Sequence, residues 1–145
     1  MMKNILYILT LVIVALTSCT REDDINEIFL NKCWYINGIC KEGKEATKED
    51  LETLFHSGKD CYRIVFNDGT FIATLSPQNV ITGAWSADGK KQAIHFYNVE
   101  APSNSSTLDN RIIEIIQKAN SYEGDANVLL IKKDKNNFIR MCEKR

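Results

Sequence analysis

Residues 62–96, YRIVFNDGTFIATLSPQNVITGAWSADGKKQAIHF, decide the fold. Inward positions recur at every second residue: Tyr62, Ile64 and Phe66, then Phe71, Ala73 and Leu75, then Ile81, Gly83 and Trp85, then Ile94 and Phe96. Successive side chains of a strand point to opposite faces, so a period of two marks four strands, each with one buried face. Asn67-Asp68-Gly69, Ser76-Pro77-Gln78-Asn79 and Asp88-Gly89 supply the turns between them. Strands joined by tight turns make an antiparallel meander.

The reading extends in both directions. Upstream, residues 32–39 (KCWYINGI) form a first strand, with Trp34 and Ile36 on one face and Cys33 and Tyr35 on the other. Asn37-Gly38 turns or bulges that strand. Thr47 and Asp50 form a capping box, which opens a short helix carrying Leu51, Leu54 and Phe55 on one face and ending at Gly58. Downstream, residues 101–107 are a polar loop. The period then changes: Leu108, Ile112, Ile115, Ile116 and Ala119 share one face of a second helix, capped by Ser106 with Asp109. After Gly124-Asp125, residues 128–133 and 138–142 form a last hairpin. The predicted order is β-α-ββββ-α-ββ, an α+β but mostly β fold of about seven strands and two helices. Strands this short need a closed or covered sheet, so the architecture is an antiparallel meander sheet or a partly closed barrel.

The amino terminus carries an address. Lys3 precedes an apolar run over residues 5–16 that is too short for a spanning helix, which needs roughly 20 residues. Residues 1–18 read as a signal peptide. Leu16-Thr17-Ser18-Cys19 resembles the processing site of a bacterial lipoprotein, with Cys19 as the lipidated first residue. The alternative is an ordinary secretory signal with Cys19 as a bystander. A single acyl chain anchors only marginally, and the two or three chains implied by the resemblance anchor permanently. Residues 19–30 then form a lipidated acidic tether and 31–145 a single domain. The expected location is the outer membrane, on the periplasmic or the surface-exposed side. Glu22, Asp23 and Asp24 are either a solvated spacer or, by resemblance to some Bacteroidetes lipoproteins, a surface-export signal. With Cys19 lipidated, Cys33, Cys40, Cys61 and Cys142 remain, an even count that in an exported domain reads as a disulfide framework with three connectivities.

The pieces WYING at 34–38, FNDGTF at 66–71, TGAW at 82–85 and NVLLIKKDKNNFIRM at 127–141 resemble a META (HslJ-like) domain and the small lipocalin-like lipoproteins of Bacteroidetes, mostly of unknown function. The resemblance implies that the first strand pairs with the last. Cys33 and Cys142 then meet on the outer face and bridge, leaving Cys40–Cys61 to clip the first helix.

Charge and motifs exclude several function classes. Eighteen basic and 19 acidic side chains give a net charge of −1 without a basic patch, which argues against a nucleic-acid partner. His56 and His95 are the only histidines, and no Cys-x-x-Cys or His-x-x-x-His pair is present, so no metal site and no cofactor are expected. His56 near Cys61 is the one local thiol–base pair. Oxidation of Cys61 is the plainer reading, and no catalytic residue is assigned. Trp34, Tyr62, Phe66, Phe71, Trp85 and Phe96 share the inward face. They either pack as a core or line a small apolar pocket. Tyr35, Val65, Ile72 and Tyr97 point outward and are candidates for a partner surface. The expected function is therefore a non-enzymatic, lipid-anchored cell-envelope domain acting as a protein-interaction or accessory module. The alternative is a carrier of a small apolar ligand.

Overall fold

A computed structural model describes residues 22–144, so the leader, Cys19 and their expected roles lie outside the described residues. The meander appears as β3 (Arg63–Phe66), β4 (Thr70–Ser76), β5 (Asn79–Asp88) and β6 (Ala93–Glu100). The expected inward residues face one another: Phe66 opposite Phe71, Ala73 opposite Ile81, and Trp85 opposite Phe96. Before the meander come α1 (Ile25–Phe29), β1 (Cys33–Lys41), β2 (Lys44–Glu45) and α2 (Lys48–His56). After it come α3 (Thr107–Lys118), β7 (Ser121–Gly124), β8 (Val128–Asp134) and β9 (Asn137–Cys142).

The sheet runs β2-β1-β3-β4-β5-β6-β7-β8-β9, and β1 also pairs with β9. Eight antiparallel strands therefore close into a barrel, with β2 as an outer strand. Closure removes the edges that short strands would otherwise expose. The fold has two strands and one helix more than the sequence reading. β2 is two exposed residues, and β7 buries only Tyr122, so neither presents an alternating pattern. β7 touches β6 at a single register point, Ala93 opposite Ser121. α3 packs against β6, β8 and β9. α2 buries Leu54 and leaves Phe55 exposed, so its apolar face is narrower than expected.

The expected disulfides are corrected by register. β1 does pair with β9, but Tyr35, not Cys33, stands opposite Cys142. The pairing is displaced by two residues from the one needed for a direct Cys33–Cys142 bridge. A bulge at Asn37 then shifts the ladder again, so that Ile39 opposes Ile139 and Cys40 opposes Phe138. On its other side Cys40 faces Glu45 of β2, whereas Cys61 is buried in the core. No disulfide forms among the described residues.

The second correction concerns the acidic tether. Ile28 and Phe29 are buried in the core, so the fold begins before residue 31. Asp24 caps α1 by accepting from the Glu27 N–H. The Asp23 N–H donates to the Gly89 carbonyl, and the Asp23 carboxylate accepts from Tyr122 Oη and Gln92 Nε2. Gly89 is required here: a Cβ on it would stand 2.3 Å from the Asp23 carbonyl oxygen. Two of the three acidic residues thus do structural work, which local composition does not reveal.

Candidate functional site

All six candidate lining residues are buried. They belong to one core with Phe29 and Tyr122, neither of which was a sequence candidate. The Phe29 ring centroid lies 5.1 Å from Phe66, 5.1 Å from Trp85 and 5.2 Å from Tyr122. Phe66 stands 5.0 Å from Trp85, and Phe71 4.9 Å from Phe96. Rings at these separations are in van der Waals contact, mostly edge to face, so the barrel interior is filled by side chains. The indole N–H groups are satisfied: Trp34 donates to the Ile28 carbonyl and Trp85 to that of Asn67. The signal that could have found Phe29 is the apolar pair Ile28-Phe29 placed four residues after an N-cap aspartate.

Tyr62 parts from the other five. It adopts φ of +50°, and its hydroxyl donates to Asp109 Oδ1 at 2.9 Å. Asn79 Nδ2 donates to the other Asp109 oxygen at 2.7 Å. Asp109 is 2% exposed and is the buried charged side chain among the described residues. Burial first, then the hydrogen bond and charge of Asp109, push the Tyr62 phenol well above its ordinary range. Tyr122 is shifted the same way by burial and by Asp23. Around this cluster, Arg111 Nη2 binds Asp50 at 2.8 Å, and Glu114 accepts from Lys41 and Lys118. These bonds tie α3 to α2, β1, the residue before β3 and the start of β5. The capping motifs at Thr47 and Ser106 were legible; the convergence of their third-position aspartates was not.

The two ends of the barrel are therefore sealed differently. At the end formed by the β3–β4, β5–β6 and β7–β8 turns, α1 inserts Phe29. At the opposite end, the amino-terminal half of α3 lies over the β4–β5 turn beside α2. The described clefts are outside the barrel. One of about 500 Å³ opens between Leu30–Cys33 and Val65–Asp68, another of about 350 Å³ between 22–28 and 124–126. A third, about 90 Å³, lies against β1, β2 and α2, with Cys40 and Arg140 in its wall. Burial raises the Cys40 thiol pKa, and Glu45 adds to that shift, so the thiolate is disfavoured. His56 ends α2 and His95 faces outward on β6 opposite Ser86. No group of three His, Cys, Asp or Glu side chains converges as a metal site among the described residues. Nor is any described helix long and apolar enough to cross a membrane. Outside the barrel, Ile72, Val80 and Tyr97 are more than two-fifths exposed on β4, β5 and β6.

Comparison with solved structures gives the same barrel. A DUF4847 family protein from Bacteroides vulgatus superposes with a TM-score of 0.65 at 24% identity, over 83% of this chain and 98% of that one. A second structure, solved by NMR, gives 0.54 at 15% identity, over 79% of this chain and 91% of that one. At these identities the likeness speaks to fold alone. No curated protein is similar enough to match. The sequence matches the model of a domain of unknown function, DUF4847, over residues 20–142. The META-like resemblance anticipated the barrel and no more. With almost the whole described fold inside that match, the chain belongs to the DUF4847 family.

Proposed function

We propose that this chain is a non-enzymatic, lipid-anchored envelope domain that works as a protein-interaction or accessory module, attached through Cys19. The observation that carries the reading is the filled interior: Phe29 occupies the middle of the aromatic cluster, and helices close both ends. A small apolar cargo would have to displace Phe29. The exposed Ile72, Val80 and Tyr97 support an outer-face contact with a partner. The relative from Bacteroides fits an envelope with an outer membrane, and the Leu16–Cys19 stretch fits an anchor there.

Cross-linking on intact envelopes tests the reading. A discrete cross-linked protein partner is expected for the native chain and not for Cys19→Ala. A saturating apolar molecule carried by the purified chain in native mass spectrometry would replace this reading with the carrier.

A further inference from the structure

We infer that the α1 end of the barrel is a membrane-facing surface, held within reach of a phospholipid headgroup layer, while the α3 end points away. The inference rests on the Cys19 anchor proposed above. It follows from where the fold begins. Asp23 is already fixed, by its N–H to Gly89 and its carboxylate to Tyr122 and Gln92. Only four residue steps separate it from Cys19, and an extended chain covers at most about 14 Å in four steps. A lipid on Cys19 therefore holds this end of the domain close to the bilayer. A twelve-residue tether over residues 19–30, by contrast, would let the domain turn freely.

The same end carries the β3–β4, β5–β6 and β7–β8 turns. Each is tied to the amino-terminal strap or its continuation: Leu30 bridges to Phe66, Asp23 binds Gly89, and Lys32 Nζ donates to the Ala126 carbonyl. Its exposed charges are mixed: Glu22, Asp24, Glu27, Asp68 and Asp125 lie among Lys90, Lys91 and Lys144. Such a surface has no strong attraction of its own for anionic lipid. The short covalent reach sets the orientation, so it should be insensitive to salt. The opposite end, with the β4–β5 turn, the β8–β9 turn and α2, is left open to soluble partners.

Lysine footprinting reads the orientation directly. The lipidated full-length product is extracted from membranes and reconstituted into phosphatidylcholine vesicles. It is then acylated with a membrane-impermeant amine reagent. Labelling of Lys90 and Lys91 at the α1 end is divided by that of Lys48 and Lys135 at the other, all four being exposed. The reference is the same lipidated chain with about twenty Gly/Ser residues inserted after Thr20, an added reach of about 25 Å. The expected ratio is several-fold lower in the native chain than in the spacer form, with and without added salt. Equal ratios in two chains that both carry acyl mass would overturn the orientation and leave the anchor standing. A membrane-extracted chain without acyl mass would overturn the anchor itself.

Discussion

The two ends of this barrel solve one problem with opposite chemistry. At the α1 end, a five-residue helix too short to be stable alone delivers Phe29 into a ring of three aromatic side chains. At the α3 end, a twelve-residue amphipathic helix arrives with its own cap and is pinned by a buried carboxylate and surface ion pairs. The first seal depends on apolar area and shape. The second depends on hydrogen bonds whose partners must all be present. The plug should therefore fail when its ring is truncated, whereas the latch should fail when any one polar partner is lost.

Phe29→Ala should have the largest effect. Truncating a fully buried phenylalanine costs about 4 kcal/mol through lost transfer energy and the cavity left behind. Urea unfolding measures it; a loss below about 1 kcal/mol would mean that the strap is not part of the cooperative fold. Asp109→Ala comes next, at about 3 kcal/mol, because it strands the buried Tyr62 hydroxyl and takes the partner from the half-buried Asn79 amide. Tyr62→Phe, which removes one donor and leaves Asn79 bonded, should cost less than Asp109→Ala. If the two cost the same, the carboxylate is not the centre of the latch.

Most of the barrel was legible because most of it obeys one rule at a time. The meander alternates strictly, and each expected inward residue from Tyr62 to Phe96, apart from Gly83, is buried. α3 followed from its period. What failed was local in another sense. α1 reads as a charged tether because four acidic residues, Glu22, Asp23, Asp24 and Glu27, precede its two buried side chains. β7 hides because four residues cannot show a period. The expected Cys33–Cys142 bridge failed because a two-residue displacement sets Tyr35 opposite Cys142, and register is not written in composition. The polar latch could be read only as two separate caps, since what unites them is the Arg111–Asp50 pair, 61 residues apart in the chain.

Gly89→Ala probes the plug from outside the core. The added Cβ meets backbone, the Asp23 carbonyl, so the strap itself has to move. Overpacking of this kind costs about 2 kcal/mol. Hydrogen exchange should quicken over residues 23–30 and remain unchanged over α3. Equal quickening at both ends would show that the two seals open together.

The pH response of the latch should be weaker still. Hydrogen bonds from Lys41 and then Lys118 hold the Glu114 carboxyl at about 2, against an ordinary 4.5. Asp50 is also lowered: burial opposes the shift, but the Thr47 backbone N–H and the Arg111 guanidinium outweigh it. A carboxyl with a depressed folded-state pKa contributes stability that is fully present above its unfolded value. On acidification the unfolded chain takes up the proton first, so the contribution falls away from about 4.5 downward and is gone near 2. Glu114 is 37% exposed, so solvent screening keeps its share below about 1 kcal/mol. The wild type should therefore lose slightly more stability between neutral pH and pH 3 than Glu114→Gln does. The deficit caused by Phe29→Ala should change little between the two pH values, because the ring contacts it removes carry no charge. Parallel pH profiles for wild type and Glu114→Gln would remove the ion pairs from the latch, leaving Asp109 and its two donors to hold α3 alone.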